Sequence, residues 1–570
     1  MIVSLRKFFS KPSYFERLLF ALVLLAHLLY VFGSQSAVLD WYTTDDAFFY
    51  FKVAQNITRG NGVTFDGLNL TNGFHPLWLL INLPVFAFPS LGNILPLRVL
   101  IFVLAALNAA SSVLLFRLVH RLIKNFPVAA FTSLLWAFYP PIHAVTTKGG
   151  TEAGLNAFFI ILLWERLTAF NLQDSITSSK LRRIIILGLI GALAVFSRLD
   201  NIFIVFFAGL WLWLRWWNPP LVAEGTRMNA WAWRLRTGFA FFTPLTLALS
   251  AYMLWNFFSF GTPTPVSGQI KLWWGTMDDM VYGQPIENLL GYIAEFFSAD
   301  PNLGPWSLIT SLLNPAVDFL LTRVGVDVLA RPVLIHLSAL ALVFLSLTAV
   351  LIYLDRDRLR SLSCRAGILP LLAASFAHIY YYKGLDSMAQ KAWYWVLEMF
   401  ILVLLLSIAL EILAKAGNRK PRSIISRGIS PALAGLSAVL VLFFFVVAIP
   451  KVKPPPRPAN HFYLMRAAWV RQTFEPGAVI GTLGGGSLGY FLSEYTIINM
   501  DGLINSYEYY QHLKAGTAAD YLLGNGVEFV VARQYLIEET NPYMFNFPGR
   551  LEFVSRDYGI SKNMVWRLLP

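Results

Sequence analysis

Cysteine and charged residues are both scarce in this sequence. The 570 residues include one cysteine, Cys364, which excludes an intramolecular disulfide and any multi-cysteine zinc or redox motif. Only 14% of the residues are charged, whereas 56% are hydrophobic. Soluble globular proteins of ordinary composition are far less apolar. The composition therefore predicts an integral membrane protein.

Long apolar runs recur before residue 451 and predict about eleven membrane-spanning helices. The first run follows a basic segment and has no small-residue cleavage site, which is typical of an uncleaved signal anchor with a cytoplasmic N-terminus. The segment Pro76–Pro89 is too short to cross and is bounded by prolines, so we expect an interfacial or re-entrant helix there. The predicted spans are Leu18–Phe32, Leu97–Phe116, Val128–Ala144, Leu155–Phe170, Ile184–Phe196, Ile202–Leu214, Phe239–Phe257, Val333–Leu354, Ile368–Tyr382, Tyr394–Ala414 and Pro431–Ile449.

The basic residues orient these spans. The sequence has 45 Lys+Arg against 32 Asp+Glu, for a formal net charge of +13. Clusters such as Arg117, Arg121 and Lys124 follow alternate spans and predict cytoplasmic loops. Because the charges are scattered over several short loops, they do not predict nucleic-acid binding. This orientation places two segments on the outer side, a first outer loop (33–76) and a long outer loop (260–331).

The sequence changes character at Lys451 and predicts a second domain. A stiff linker, KVKPPPRP, precedes a mixed polar segment of about 120 residues, a normal size for one domain. Helical stretches such as Tyr509–Leu523 alternate with five short β-rich runs, AVIGTL, TIINM, EFVVA, LEFVS and MVWRLL. We therefore divide the chain into a transmembrane module (1–450) and an extracytoplasmic α/β domain (451–570).

A glycine-rich turn, GTLGGGSLGYF, spans Gly481–Phe491 of this domain. Its place between a strand and a helix resembles that of a phosphate-cradling turn. The glycine spacing is irregular and no P-loop lysine follows, so a tight turn with close backbone packing explains the run as well.

Ionisable residues gather at the predicted outer end of the bundle. Such groups are costly at membrane depth, and they usually pair, line a cavity or mark a site. Cations suit the binding of a phosphate or pyrophosphate, and a carboxylate suits removal of a proton from a hydroxyl group. The pattern predicts a reaction on an anionic, lipid-anchored substrate. The residues are Asp45, Asp46, His75, Glu152, Arg198, Asp200 and Lys271.

Blocks of sequence in these outer segments resemble those of a known superfamily. TTDDAFFYFKVAQNITRGNGVTFDG with TNGFHPLW resembles its first outer loop; KGGTEAGL, SRLD and FGTPTPVSGQIK resemble later loops, and GSLGYF with INMDGLINS resembles the exposed C-terminal part. The superfamily is GT-C, the integral-membrane glycosyltransferases that use polyprenyl-phosphate sugars. The blocks are most similar to those of bacterial arabinofuranosyltransferases, aminoarabinose transferases and uncharacterised relatives. The resemblance implies a polytopic α-helical fold of GT-C type.

The resemblance also implies an activity. The catalytic aspartate of the superfamily falls on Asp45, with Asp46 as its neighbour, and would deprotonate an acceptor hydroxyl that displaces polyprenyl phosphate with inversion. His75, Glu152, Arg198, Asp200 and Lys271 are then the expected substrate-binding residues. The acceptor would be a glycan, lipid or protein outside a bacterial plasma (inner) membrane. We expect no obligatory cofactor or metal, although two adjacent carboxylates are compatible with a divalent cation.

Each predicted site residue also has a structural interpretation. Asp45 and Asp46 suit an N-cap and a solvated neighbour for the following helix. Arg198 with Asp200 suits an ion pair that joins helix ends. Lys271, beside two tryptophans, suits an interfacial anchor.

Other functions share part of the pattern. A multispan transporter or a lipid or glycolipid flippase would have the same apolar bundle, but transporters tend to show internal repeats and polar groups near the midplane. Here the polar cluster lies at the outer face, and the sequence shows no repeat. A receptor or scaffold would leave the two adjacent acids unexplained. We expect Glu165 and Glu398, which lie within spans, to pair inside the bundle, and we expect His378 to be a satisfied core histidine.

Overall fold

The computed structural model of the chain describes residues 12–170, 178–215, 230–323, 333–418, 424–452, 461–556 and 563–570. The basic N-terminal residues before Pro12 and most of the predicted linker lie outside these ranges. The α-helices of the transmembrane module are α1 (Pro12–Val31), α2 (Gln35–Leu39), α3 (Asp46–Thr58), α4 (Pro76–Phe86), α5 (Leu95–Ile123), α6 (Phe126–Phe138), α7 (Pro140–His143), α8 (Ala153–Ala169), α9 (Ser178–Ser197), α10 (Ile202–Arg215), α11 (Ala230–Phe260), α12 (Val266–Trp274), α13 (Leu289–Phe296), α14 (Ser307–Arg323), α15 (Val333–Ala366), α16 (Ile368–Ile379), α17 (Val396–Asn418) and α18 (Ile424–Val452).

The predicted spans coincide with helix in the structure, except that Val128–Ala144 is interrupted at Tyr139, where the chain bends by 51°. Five helices are each long and apolar enough to cross a membrane, and two bent pairs raise the number to seven if each pair is one span. The total of about eleven spans stays a prediction. The five are Pro12–Val31, Leu95–Ile123, Arg234–Phe260, Ala392–Ala416 and Ile429–Pro450, and the bent pairs are Phe126–Phe138 with Pro140–Lys148 and Ala341–Ala366 with Ile368–Gly384.

The long helices divide into central and peripheral ones. The apolar stretches of α5 and α17 are each 67% buried, whereas those of α11 and α18 are 22% and 17% buried. Large apolar side chains such as Phe258 and Val446 are exposed on the peripheral helices. Apolar side chains on the outside of a bundle face lipid in a membrane protein. The packed core of the bundle is therefore built around α5 and α17.

One short helix and the long outer loop differ from the ordinary spans. The predicted interfacial helix is α4, of 11 residues, which is too short to cross a membrane upright. The long outer loop is not irregular, because it contains α12, α13 and the apolar helix α14. The sequence did not predict α14, a helix of 17 residues, as a separate element of this loop.

The C-terminal domain is an α/β unit, and all five predicted strands are confirmed. The sheet has the order β2-β1-β3-β5-β4, with β1 parallel to β2 and β3, and β5 antiparallel to β3 and β4. The predicted helix over Tyr509–Leu523 is wrong as one element, because the chain adopts a left-handed conformation at Gly516 and forms two helices. The elements are β1 (Val479–Thr482), β2 (Thr496–Asn499), β3 (Phe529–Ala532), β4 (Leu551–Arg556), β5 (Met564–Leu568), α19 (Phe462–Thr473), α20 (Gly486–Phe491), α21 (Tyr507–Ala515), α22 (Ala518–Gly524), α23 (Gln534–Glu538) and α24 (Tyr543–Asn546).

This domain packs directly onto the first outer loop. The ring of Tyr490 lies 5.3 Å from that of Phe48, and its hydroxyl donates to the carbonyl of Asn93 at 2.6 Å. The hydroxyl of Tyr463 donates to the carbonyl of Tyr42 at 2.7 Å. These side chains belong to the same apolar cluster as the core of the bundle. The C-terminal domain therefore forms one wall of whatever site the outer loops create.

Candidate active site

A cavity opens where one end of the helix bundle meets the C-terminal domain. Its volume is about 660 Å³ when the space open to solvent is included. Five of the seven predicted site residues line it: Asp46, His75, Glu152, Arg198 and Lys271. Residues more than 200 positions apart thus share one surface. The sequence had grouped them only by their predicted side of the membrane.

The two adjacent acids face different surroundings. Asp45 and Asp46 lie at the N-terminus of α3, and neighbouring positions on a helix point about 100° apart. Asp46 lines the cavity. The carboxylate of Asp45 accepts hydrogen bonds from the backbone amides of Gly486 at 2.7 Å and Ser487 at 2.9 Å. Asp45 occupies the N-cap position without a side-chain capping bond, so the interpretation of its side chain as a helix cap is wrong.

The glycine-rich turn of the C-terminal domain is therefore a carboxylate clamp. Its amides hold Asp45, and the amide of Gly484 donates to the carboxylate of Asp501 at 2.5 Å. A Cβ atom on Gly486 would lie 2.3 Å from the carbonyl oxygen of Asp45, so only glycine allows this approach. The turn does cradle an anionic group, but that group is a side chain of the same protein.

The same domain closes the cavity at a second point. Leu503 and Ile504 line it, and the carbonyl of Leu503 approaches Gly73 so closely that a Cβ there would lie 1.9 Å from it. The blocks that carry these residues, TNGFHPLW and INMDGLINS, are distant in sequence and meet in the structure. Nothing in the sequence indicated this contact.

Arg198 is the centre of a buried polar network. Its guanidinium donates to Glu152 at 2.6 Å and to Asp200 at 2.8 Å, and it is 1% exposed. Asp200 does not line the cavity, but it accepts a further hydrogen bond from the hydroxyl of Tyr382 at 2.7 Å. Two carboxylates already balance the single guanidinium. Arg198 therefore orients the acids around it, as the structural interpretation of this pair expects.

The network continues to the cavity and into the bundle. Glu152 accepts a hydrogen bond from Tyr50 at 3.0 Å and lies 3.8 Å from the imidazole of His75. Towards the bundle, His378 lies 3.3 Å from Asp200 and 3.1 Å from Glu398. The predicted pairing of Glu398 within the bundle is confirmed, and His378 is a satisfied core histidine, as expected. The pairing of Glu165 is also confirmed, because Arg121 donates to it at 2.6 Å.

Lys271 is differently placed. Its ammonium donates to the hydroxyl of Tyr394 and, at 3.4 Å, to the carbonyl of Ala389. Arg198 lies over the same tyrosine ring, 4.4 Å from its centroid. In the part of the chain that the structure describes, no carboxylate pairs with Lys271 within 4.0 Å. It thus brings a cation to the cavity that makes no ion pair with a described carboxylate.

Burial perturbs two titratable groups of the cavity. The pKa of Asp46 is raised, chiefly by desolvation, although Lys391 and Lys271 oppose the shift; Asp45 and Asp501 add to it. The pKa of His75 is lowered by burial, against the attraction of Glu152. A carboxylate with a raised pKa is a stronger base than an exposed one, and such shifts are frequent at functional sites. Asp46 is therefore the better placed of the two acids to accept a proton.

Metal ligation has no clear structural signature. Within the described ranges, no group of three or more His, Cys, Asp or Glu side chains is arranged to hold a metal ion. Most of the site residues that the sequence did not predict are aromatic or apolar, such as Tyr50, Tyr394 and Leu503, and Thr151 and Ser267 add hydroxyl groups. Their types are common throughout this sequence, so no local signal distinguishes them.

Comparison with known proteins gave matches among solved structures only. No family model and no curated protein matches the chain. The oligosaccharyltransferase AglB from Archaeoglobus fulgidus, in complex with an inhibitory peptide and a dolichol-phosphate, is similar over 98% of this chain and 74% of its own, with 13% identity and a TM-score of 0.46. ArnT from Cupriavidus metallidurans is similar over 96% and 97%, with 14% identity and a TM-score of 0.49.

A third neighbour is the arabinofuranosyltransferase AftD from Mycobacteria. It is similar over 97% of this chain and 42% of its own, with 14% identity and a TM-score of 0.41. All three are glycosyltransferases of the GT-C superfamily, the superfamily that the outer-loop sequence blocks resemble.

Proposed function

We propose that this protein is a membrane glycosyltransferase that moves a sugar from a polyprenyl-phosphate donor to an acceptor hydroxyl. The observation that carries the proposal is the convergence of Asp46, His75 and Lys271 on one cavity at the end of an apolar bundle. A carboxylate with a raised pKa can act as a general base, and a cation can stabilise the charge that develops on a leaving lipid phosphate. The acceptor is a glycan, a lipid or a protein on the outer side of a bacterial plasma membrane.

Asp46 is the proposed general base. Its carboxylate takes the proton of the acceptor hydroxyl as that oxygen attacks the anomeric carbon. The bond between the anomeric carbon and the phosphate oxygen breaks, and polyprenyl phosphate leaves with the electron pair. One substitution at the anomeric carbon inverts its configuration. Asp45, held by the glycine-rich turn, is a positioning residue that fixes the start of α3.

Lys271 is the proposed partner of the donor phosphate. An ammonium has three N–H donors, and the hydroxyl of Tyr394 and the carbonyl of Ala389 accept two of them. The third is available to a phosphate oxygen, whose negative charge increases as the bond to the sugar breaks. A fixed cation at such a position stabilises the transition state more than the ground state.

The direct test uses purified protein in lipid nanodiscs and a panel of radiolabelled polyprenyl-phosphate sugars, with release of polyprenyl phosphate as the readout. Release with one donor, accompanied by a product of inverted anomeric configuration, supports the proposal. Movement of an intact labelled lipid across the bilayer without release supports a flippase. A further arm adds a chelator, and loss of activity that manganese or magnesium restores would show that a divalent cation is required.

A further inference from the structure

A second polar cavity lies at the opposite end of the bundle. It has a volume of about 530 Å³ and lies between the junction of α5 and α6, the last turns of α15 and the end of α17. The start of α5 is beside the first outer loop, where Tyr42 donates to the carbonyl of Leu97 at 2.5 Å. The 29 residues of α5 span about 42 Å at 1.5 Å per residue. The end of α5 at this inner cavity is therefore about one bilayer thickness from its start beside the first outer loop.

The lining of the inner cavity is strongly basic. Lys124, Arg358, Arg365 and Lys415 line it, and the one carboxylate among its described lining residues is Glu411. Glu411 is buried and engaged, because Arg358 lies 2.5 Å and Lys415 3.5 Å from it. Asn125 donates a further hydrogen bond to Glu411 at 2.8 Å. One buried carboxylate thus organises the site, and a net excess of positive charge remains.

The backbone of α15 is built to present two of these arginines. The helix is kinked at Asp355, which has φ −165° and ψ 81°. The carboxylate of Asp355 accepts a hydrogen bond from the backbone amide of Arg358 at 3.1 Å. Arg358 and Arg365 are seven residues apart and so share one face of the following segment. Leu362 lies between them on this face and is buried. The Nε of Arg358 is buried without a hydrogen-bond partner, a donor that an anionic ligand would satisfy.

We propose that the inner cavity binds the phosphate headgroup of an anionic phospholipid in the leaflet opposite the candidate active site. Basic pockets between helices at the cytoplasmic surface are a recognised form of lipid headgroup site. The proposal is independent of the catalytic activity, because none of its residues contacts the outer cavity.

The test measures binding of fluorescent phosphatidylglycerol to the full-length protein in detergent, with phosphatidylcholine as the zwitterionic reference. The double variant Lys124→Gln/Arg365→Gln removes two cavity charges and leaves the Arg358–Glu411 pair intact. The matched control, Arg356→Gln/Arg360→Gln, removes two exposed charges of the same segment that do not line the cavity. We expect affinity for phosphatidylglycerol to fall about 25-fold in the cavity variant, about fivefold per charge, and less than about twofold in the control.

Two results would overturn the proposal, and a further variant tests whether lost charge explains the lost binding. Equal losses in the two double variants would show general attraction to a basic surface and overturn the proposal. Binding of inorganic phosphate without binding of phosphatidylglycerol would assign the cavity to a free anion and overturn it also. A charge-preserving variant, Lys124→Arg/Arg365→Lys, separates lost charge from lost folding, and the proposal requires it to restore binding.

Discussion

The carboxylate clamp predicts that a single methyl group in the C-terminal domain disturbs chemistry in the membrane module. The perturbation is Gly486→Ala. Its Cβ would lie 2.3 Å from the carbonyl oxygen of Asp45 and 3.2 Å from a carboxylate oxygen of the same residue. The first is a backbone contact, far inside ordinary van der Waals distance, so the turn and the start of α3 must separate.

The size of the effect follows from what the separation breaks. Asp45 accepts two hydrogen bonds from backbone amides, and hydrogen bonds to charged groups contribute about 1.5–3 kcal/mol each. Losing both weakens docking of the turn by about 3–6 kcal/mol. Asp46 is the next residue in the chain, and a misplacement of about 1 Å in a reacting group reduces the rate about 100-fold. We therefore expect turnover to fall by about that factor while the bundle stays folded.

The assay is sugar release from the polyprenyl-phosphate donor identified in the panel, together with hydrogen exchange of the amides of the glycine-rich turn. Gly524→Ala is the matched control, because a Cβ on Gly524 meets nothing within 4 Å and the residue belongs to the same domain. Wild-type turnover and wild-type amide protection in Gly486→Ala would refute the reasoning. Faster exchange with unchanged turnover would refute only the proposed coupling between the glycine-rich turn and Asp46.

Three further predictions concern neighbouring groups. Lys391 lowers the pKa of Asp46, so Lys391→Gln should raise that pKa further. Because the base acts in its deprotonated form, the acidic limb of the pH–rate profile should then move to higher pH. A limb that stays in place or moves to lower pH would contradict this prediction. Lys271→Gln should reduce kcat/KM about 100-fold, measured by steady-state kinetics, whereas an unchanged value would exclude a phosphate contact. Tyr282→Phe removes a hydrogen bond to the buried carboxylate of Asp501, and should lower the free energy of unfolding by about 1.5–3 kcal/mol; an unchanged thermal midpoint would contradict that.

Much of the secondary structure follows from local sequence. The β-rich runs of the C-terminal domain match the five strands because alternating apolar and β-branched residues between turn residues define such elements locally. The predicted span Val333–Leu354 ends next to the kink of α15 at Asp355. Charged residues begin at this position, because a helix that leaves the hydrocarbon region passes from apolar to polar surroundings. Composition alone located this boundary.

The assembly of the site does not follow from local sequence. The hydrogen bonds from Gly486 and Ser487 to Asp45 link residues more than 440 positions apart. A short acidic sequence before a helix predicts a cap, and only the tertiary contact shows that the turn uses this side chain instead. Likewise, the spacing of Arg198 and Asp200 indicates a pair, but the addition of Glu152 to that pair depends on how α8 and α9 pack.

The most direct test of the account compares Asp46→Asn with Asp45→Asn, both as purified proteins with the identified donor. A general base contributes about 10²–10⁴ to the rate, so Asp46→Asn should lose that factor while the affinity for the donor is retained. Asp45→Asn should lose less, and should shift the acidic limb to lower pH, because the Asp45 charge raises the pKa of Asp46. Retained turnover in Asp46→Asn would contradict the central claim that Asp46 is the base.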